Sequence, residues 1–242
     1  MRGISWALFW MLQIAGVQAI GAGFESANQL YEAGKFVEAR EEYRQLLDGG
    51  QRTANLYYNL GNTEYRLGAP GLAILEYERA LEADPSHPEA QANLKLLRGQ
   101  TGARVRAEDW GDRHFPRWGN SVYVVALTVS VWAGLFALAA LVGRSARGAP
   151  LVFAAVAFGI AIYFAAGIWR HERRQPRAII TAEVEARLAP AESAGPAGSL
   201  PVGSEVWILS ERGDWAYCEL PDATNRGWIN LKALERVRPK AA

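Results

Sequence analysis

The stretch that decides the fold is YYNLGNTEYRLGAPGLAILEYERALEADP, residues 57–85. Gly68 tolerates the positive φ angle with which helices often end, and Pro70 suits the first turn of a new helix, where its missing N–H has no cost. Gly61 and Ala73 are small enough to stand where two helices cross. The stretch therefore predicts two helices joined by a short turn and ended by the proline at its last position.

The same pattern occurs once more, earlier in the chain, because residues 27–47 align with residues 61–81. The matched pairs are Asn28 and Asn62, Tyr31 and Tyr65, Gly34 and Gly68, Ala39 and Ala73, Glu42 and Glu76, Tyr43 and Tyr77, and Leu47 and Leu81. A helical period of about 34 residues, as here, is the signature of tetratricopeptide repeats. Residues 20–98 thus resemble two such repeats, followed by a capping helix at Pro88–Arg98 that closes the stack. Glu64 and Pro70 depart from the family pattern, which usually has tyrosine there.

This resemblance also implies a binding surface, since the first helix of each repeat lines a concave groove in the family. The residues that share this face at spacings of three or four are Asn55, Tyr58, Asn62, Tyr65 and Arg66, with Asn28 and Tyr31 at the matching places in the first repeat. Aromatic rings and amides suit a peptide ligand. In the alternative interpretation, these tyrosines merely cover the helix surface.

Residues 1–19 are typical of a signal peptide. Arg2 supplies the positive charge, a mostly apolar run follows from Ile4, and Val17-Gln18-Ala19 resembles a cleavage site. The alternative is an uncleaved anchor helix. Both interpretations place the following residues outside the cytoplasm.

Two charge-free apolar runs, residues 121–143 and 149–169, follow a polar linker at residues 99–119. A bilayer core about 30 Å thick needs about 20 helical residues, so each run is long enough to span it. We therefore expect a two-helix transmembrane hairpin over residues 120–170, in contact with membrane lipid.

The orientation of this hairpin has conflicting signals. Export of the N-terminus and an even number of spans put both soluble parts on the extracytoplasmic side, that is, in the periplasm of a bacterium and bound to its inner membrane. The hairpin loop would then be cytoplasmic, which fits Arg144 and Arg147. The larger count of arginines outside the hairpin favours the reverse orientation; these are Arg113, Arg117, Arg170, Arg173, Arg174 and Arg177. We give precedence to the predicted signal peptide, because it commits the chain to export before the later helices emerge.

Residues 178–238 have strand and turn signals. The predicted strands are Ala178–Ala182, Glu205–Ser210, Trp215–Leu220 and Gly227–Ile229, with a loop at Ala189–Pro201 and a short turn at Asn230–Leu234 before the last strand. The succession RLAPAES, LPVGSEVWIL, ERGDWAYCEL and RGWINLKALERV resembles bacterial SH3-like domains, which are small all-β barrels. The resemblance makes Trp215 and Trp228 a candidate binding surface, although such tryptophans also fill the cores of these barrels.

The sequence offers no set of catalytic residues. Cys218 is the single cysteine and alternates with Ala216 and Leu220, which predicts a buried core position rather than a reactive thiol. The three histidines and one cysteine lack the spacing of a zinc site. A formal charge of +1 gives no basic stripe for nucleic acid. We therefore expect a multidomain binding protein without enzymatic activity, metal or cofactor.

The whole succession of signal, two repeats, paired spans and SH3-like domain resembles the BatE family of the Bacteroides aerotolerance operons. The motifs that carry the resemblance are YYNLGNTEYRLG, the two apolar runs and RGWINLKALERV. It implies an envelope scaffold that works beside membrane proteins with von Willebrand A domains and an AAA+ ATPase of the MoxR type. The alternative is a sensor or binding protein whose SH3-like domain recognises peptidoglycan.

Overall fold

A computed structural model describes residues 23–106, 120–139, 148–172, 176–222 and 225–238. The described residues form two compact units. Residues 23–106 and 176–238 belong to the first, which we call the repeat–sheet unit, and residues 120–172 belong to the second, the hairpin unit. The predicted signal peptide, most of the predicted linker and the predicted loop between the spans lie outside the described residues.

The repeat part of the first unit consists of consecutive helices. They are α1 (residues 23–32), α2 (Phe36–Asp48), α3 (Ala54–Arg66), α4 (Pro70–Ala83) and α5 (Pro88–Thr101). Gly34 and Gly68 lie at the turns within the two helix pairs, and both have φ = 76°. The backbone thus repeats at the spacing that the sequence predicts.

Each helix pair packs around small residues and a buried tyrosine. Ala27, Ala39 and Tyr43 form the core of the first pair together with leucines of α3. In the second pair, a Cβ atom on Gly61 would lie 2.7 Å from the Tyr77 ring, so only glycine lets α3 and α4 approach this closely.

Glu64 replaces the tyrosine that the family usually has at its position, and its side chain is buried. It accepts a hydrogen bond of 2.8 Å from Arg44 of α2. Burial raises the pKa of this carboxyl group, against the opposing influence of Arg44 and Arg40. An ion pair therefore joins α2 to α3 at the position where Glu64 departs from the tetratricopeptide pattern.

The described residues after the hairpin form a seven-stranded antiparallel sheet. Its strands are β1 (Arg177–Ile180), β2 (Val184–Arg187), β3 (Pro196–Leu200), β4 (Glu205–Arg212), β5 (Trp215–Glu219), β6 (Arg226–Asn230) and β7 (Leu234–Arg236), in the spatial order β3-β2-β6-β5-β4-β1-β7. A 3₁₀ turn at Leu231–Ala233 precedes β7, as predicted.

The predicted loop at Ala189–Pro201 is wrong in its second half, because β3 lies within it. This strand pairs with β2, and the register shifts between Ala186 and Arg187. Apart from Leu200 its residues are Pro, Ala, Gly and Ser, and it stands at the edge of the sheet, where a proline at the first position is tolerated. It therefore lacks the alternation of large apolar residues by which a strand is recognised.

The inner face of the sheet forms a separate apolar core. It is built from Ala178, Ile180, Ala186, Leu200, Val206, Ile208, Ala216, Cys218, Leu220, Ile229 and Leu234. The alternation of Ala216 and Cys218 on β5 follows the period of two that a strand requires.

Helix α4 packs against this sheet as well as against the other repeat helices. Ile179 of β1 and Val237 share an apolar cluster with Ile74, Leu75 and Leu97. Gly71 lies so close to the sheet that an added Cβ atom would be 2.8 Å from the Thr181 carbonyl oxygen. The sheet therefore covers a face of the second repeat.

A buried ion network surrounds this apolar contact. The Arg177 guanidinium lies 2.9 Å from carboxylate oxygens of Glu78 and Glu82 on α4, and 3.0 Å from Glu205 of β4. Arg98 of α5 also pairs with Glu78. Burial opposes the charge on Arg177, but the three carboxylates outweigh it and raise the pKa of the guanidinium. Charges from α4, α5, β1 and β4 thus neutralise one another at the junction.

Arg79 provides a second link between the helix and the sheet. Its guanidinium pairs with Glu76 at 2.7 Å and with Glu235 of β7 at 2.8 Å. It also donates to the backbone carbonyls of Arg236 and Val237, at 2.9 and 3.1 Å. The end of the described chain is therefore held against α4 through main-chain as well as side-chain contacts.

The hairpin unit consists of α6 (Asn120–Ala139) and α7 (Gly148–Glu172). Gly167 lies against the Tyr123 ring and Gly134 against the Phe158 ring. The early part of α6 thus meets the late part of α7, so the helices are antiparallel. Residues Ser121–Ala139 and Pro150–Trp169 are long and apolar enough to cross a membrane, and most of their surface is exposed.

Candidate functional site

Two groups of polar side chains with the same composition join α1 to α3 and α3 to α5. We call them the amide–phenol triads. In the first, Asn28 Oδ1 accepts hydrogen bonds from the Tyr43 hydroxyl at 2.7 Å and from Asn59 Nδ2 at 2.9 Å. In the second, Asn62 Oδ1 accepts from the Tyr77 hydroxyl at 2.7 Å and from Asn93 Nδ2 at 3.1 Å. Each member of one triad is one repeat period away from its counterpart in the other.

The phenols of both triads stay protonated at physiological pH. Burial raises the pKa of Tyr43 to about 12 and also raises the pKa of Tyr77. The hydroxyl groups therefore act as donors, and together with the second amide they occupy both lone pairs of each Asn28 or Asn62 carbonyl oxygen. The oxygen end of the Asn28 and Asn62 amides is therefore occupied, and their NH₂ groups are the end that is left for a ligand.

The predicted groove residues divide into two groups. Asn28 and Asn62 lie in the triads, and Tyr58 is half-buried between Tyr77 and His87, with ring centroids 5.9 and 5.0 Å away. These three residues therefore connect helices. A ligand could reach their side chains only in part.

The remaining predicted residues are more accessible. Tyr65 is 46% exposed, and Tyr31 is half-buried with its ring edge-on to Phe36. The Arg66 guanidinium lies over the Phe36 ring, 4.7 Å from its centroid, and Asn55 Oδ1 lies 3.1 Å from His87 Nε2. Tyr65 is thus the most exposed aromatic ring among the predicted groove residues.

Asn59 and Asn93 were not predicted from the sequence, although their side chains complete the triads. The signal that could have identified them is that they too are separated by one repeat period. The alignment of the two repeats ends before Asn93, so it could not include this pair.

A second candidate surface lies on the outer face of the sheet. Trp215 and Trp228 are half-buried and do not belong to the inner core. The rings of Trp228 and Tyr217, which are paired across β5 and β6, contact each other at a tilt of 37° with centroids 5.1 Å apart. Trp207 lies on the neighbouring strand β4. The Arg106 guanidinium is 5.2 Å from its ring centroid and pairs with Glu219 of β5 at 2.7 Å. The outer face therefore combines aromatic rings with the Arg106 side chain, which is held by Trp207 and Glu219.

Cys218 lies in the inner core with no exposed surface, which confirms the predicted core position. Burial raises the pKa of its thiol to about 12. Since the thiolate is the reactive form, this cysteine is inert in the folded protein.

We expect Cys218 to resist a thiol reagent such as N-ethylmaleimide at pH 8 until the protein unfolds, because both access and ionisation are blocked. Cys218→Val should leave the unfolding midpoint nearly unchanged, since valine has a similar volume and suits a strand. Labelling followed by intact mass spectrometry, with and without urea, tests this expectation. Rapid modification of the native protein would contradict it.

The residues that the structure describes contain no group of three or more histidine, cysteine, aspartate or glutamate side chains arranged to hold a metal ion. The ion network of α4 and the sheet and the amide–phenol triads are the main polar clusters described above.

Comparison with known proteins identifies the class of the N-terminal region. Residues 24–88 match the sequence profile of the tetratricopeptide repeat family. These repeats typically serve as protein-interaction modules without enzymatic activity. A search of curated proteins finds no match to the chain.

Proposed function

We propose that this protein is a membrane-anchored envelope scaffold or adaptor that binds protein partners through its tetratricopeptide repeats. The observation that carries the proposal is the match of residues 24–88 to this family, together with the partly exposed face of α1 and α3. We further propose that the protein is BatE-like and that its partners are membrane proteins with von Willebrand A domains. The binding residues would be those of the predicted groove, of which Tyr31, Asn55, Tyr65 and Arg66 are the more accessible.

Membrane anchoring is supported by the length, composition and exposure of α6 and α7. The two soluble parts would lie in the same compartment, because the repeats and the sheet pack against each other within one unit. We assign them to the periplasmic side of a bacterial inner membrane, with a signal peptide at residues 1–19, spans at about residues 121–143 and 149–169, and an SH3-like domain at residues 178–238.

Alkaline phosphatase fused after Gln100, and in a second strain after Ala242, tests this topology, since the enzyme is active only outside the cytoplasm. We expect activity at both positions. Green fluorescent protein fused at the same positions is the control and should stay dark. Phosphatase activity at only one position would contradict the shared compartment.

Site-specific photocrosslinking in the native envelope tests the scaffold. A benzoylphenylalanine that replaces Tyr65 should crosslink to a discrete protein, because this ring is exposed and belongs to the proposed binding face. The matched control is the same probe at Val37, a 55% exposed side chain on α2. Crosslinks at neither position, or equal crosslinks at both, would argue against the groove as the binding site.

The alternative function is peptidoglycan binding through the sheet, and the adjacent Tyr217 and Trp228 rings favour it. Aromatic faces on a sheet can pack against sugar rings or peptide stems. Sedimentation of the purified protein with peptidoglycan sacculi, compared with a Trp228→Ala variant, distinguishes the two functions. Loss of cosedimentation in the variant would support the alternative.

A further inference from the structure

We propose that Glu76 is a proton-sensitive switch in the contact between α4 and the sheet. When its carboxyl group takes up a proton, the charge of Arg79 is left to partners on the sheet, and the contact becomes stronger. When the proton leaves, α4 and the sheet are held less tightly. This inference concerns regulation of the repeat–sheet unit and goes beyond the proposed function, because it does not depend on the ligand that the repeats bind.

The first argument is that the ionised Glu76 side chain has too few hydrogen-bond donors. The side chain is enclosed at the junction and is only 7% exposed. Its Oε1 atom accepts a hydrogen bond of 2.7 Å from Arg79 Nη1, but its buried Oε2 atom has no partner among the described residues. A buried carboxylate oxygen without a donor favours the protonated form of the group.

The second argument is that Glu76 shares its cation with another carboxylate. The Arg79 guanidinium lies 2.7 Å from Glu76 and 2.8 Å from Glu235 of β7. Glu78, two residues further along the helix, is different, because it pairs with two arginines of the ion network. The charge of Glu76 is therefore compensated less completely than that of Glu78, although both side chains are buried in the same helix.

The groups on the neighbouring elements do not supply the missing compensation. Glu64 of α3 repels the negative charge on Glu76, as does the carboxylate of β7. The arginines of α2 act on Glu64 itself, because Arg44 donates to it at 2.8 Å and Arg40 also favours its charge. Burial raises the pKa of Tyr57 on α3, so this phenol is neutral. Proton uptake by Glu76 therefore relieves repulsion from both α3 and β7.

The direction of the switch follows from the positions of the Arg79 contacts. Glu76 is on the same helix as Arg79, so the ion pair between them does not hold the sheet. The other partners of the guanidinium are the Glu235 carboxylate and the carbonyl oxygens of Arg236 and Val237, which all belong to β7 and the residue after it. A neutral Glu76 thus leaves the charge of Arg79 to the partners that join α4 to β7.

The titration of Glu76 agrees with this geometry. Burial, together with repulsion by Glu235 and Glu64 and against the influence of Arg79, raises the pKa of the carboxyl group from 4.5 to about 7. Between these two values the folded protein holds a proton that the unfolded chain releases. The contribution of Glu76 to stability is therefore greatest at the acid end of this range and is lost as the pH rises towards 7.

Urea unfolding of the full-length protein in detergent, at pH 5 and at pH 7.5, tests the proposal. Glu76→Gln imitates the protonated side chain and keeps an acceptor for Arg79. We expect the variant to be close to the wild type at pH 5 and more stable at pH 7.5. The ratio of its folding constant to that of the wild type should rise at least about tenfold between the two pH values, since a shift of one pKa unit is a factor of ten.

Glu42→Gln is the matched control, because Glu42 is the counterpart of Glu76 one repeat earlier and is half-buried on α2. Its ratio to the wild type should change little with pH. A ratio for Glu76→Gln that is the same at both pH values, or an equal rise for Glu42→Gln, would overturn the proposal.

Two further measurements assign the effect to the contact with β7. Glu235→Gln removes the competing carboxylate, so in this background the rise caused by Glu76→Gln should be smaller. Hydrogen exchange, compared between wild type and Glu76→Gln at the same pH, should show slower exchange of residues 234–238 in the variant at pH 7.5 and no difference at pH 5. An unchanged rise in the double variant, or equal exchange at pH 7.5, would show that Glu76 does not act through Arg79 and β7.

Discussion

Arg177→Met is expected to lower the free energy of unfolding of the repeat–sheet unit by about 3–5 kcal/mol, because it leaves buried carboxylates without their shared cation. The Arg177 side chain is 13% exposed, and those of Glu78 and Glu205 are 5% and 4% exposed. Methionine keeps much of the length of the side chain, so the change removes mainly the charge and its hydrogen bonds. Separation of α4 from the sheet would be the structural consequence.

Urea unfolding, monitored by tryptophan fluorescence in detergent, measures this effect. Arg238→Met is the matched control, because Arg238 pairs with Glu82 of the same helix but its side chain is 59% exposed. Exposed ion pairs contribute about 0–1 kcal/mol, so this variant should remain close to the wild type. Equal effects of the two substitutions would show that the network around Arg177 does not hold the helix to the sheet.

Gly71→Leu should lower the free energy of unfolding by at least about 1–3 kcal/mol through overpacking. A Cβ atom at this position would lie 2.7 Å from Val202 Cγ1 and 2.9 Å from the Thr181 Cα atom. A side chain such as Val202 can rotate away, but the backbone of Thr181 can move only if the sheet separates from α4. Limited proteolysis should then cleave the sheet of the variant at a lower protease concentration than the sheet of the wild type.

Gly99→Leu is the control for this substitution. Gly99 is exposed in helix α5, and a Cβ atom there meets no atom within 4 Å. Because leucine favours a helix more than glycine does, the control should be as stable as the wild type or slightly more stable. Similar losses of stability in both variants would mean that leucine destabilises the helices themselves, and that the contact between α4 and the sheet is not the cause.

The repeats could be predicted from the sequence because their determinants are local. Gly61, Gly68 and Ala73 specify a close crossing and a turn within one pair of helices, and the repeat period makes the pattern visible twice. Strand β3 could not be predicted in this way. Leu200 is its single large apolar residue, and the rest of its pairing with β2 runs through Pro196, Gly198 and Ser199, which leave no periodic signal.

The junction between α4 and the sheet could not be predicted either. Glu78, Arg79 and Glu82 have the composition of a solvated helix face, and the partner Arg177 is about a hundred residues further along the chain. The sequence patterns therefore indicated separate domains for the repeats and the C-terminal region. Pairing of charges over such a distance can be recognised only when the fold brings them together.

The candidate site was predicted in part. The repeat pattern identifies Asn28 and Asn62 as equivalent, but it does not show that both carbonyl oxygens are already occupied by Tyr43 and Tyr77. Likewise, Tyr58 and Tyr65 have the same character in the sequence, and only packing distinguishes a ring enclosed by Tyr77 and His87 from an exposed one.

The position of the hairpin within the chain has a consequence for biogenesis. The ribosome makes α4 first, then both apolar helices, and only afterwards the strands that cover α4. During translation, Glu78 therefore has only Arg98 of α5 to pair with, and no Arg177, until both apolar helices have been synthesised. Completion of the repeat–sheet unit therefore follows the synthesis of both apolar helices, and a chain that stalls before β1 would leave Ile74 and Leu75 of α4 without the apolar cover of Ile179.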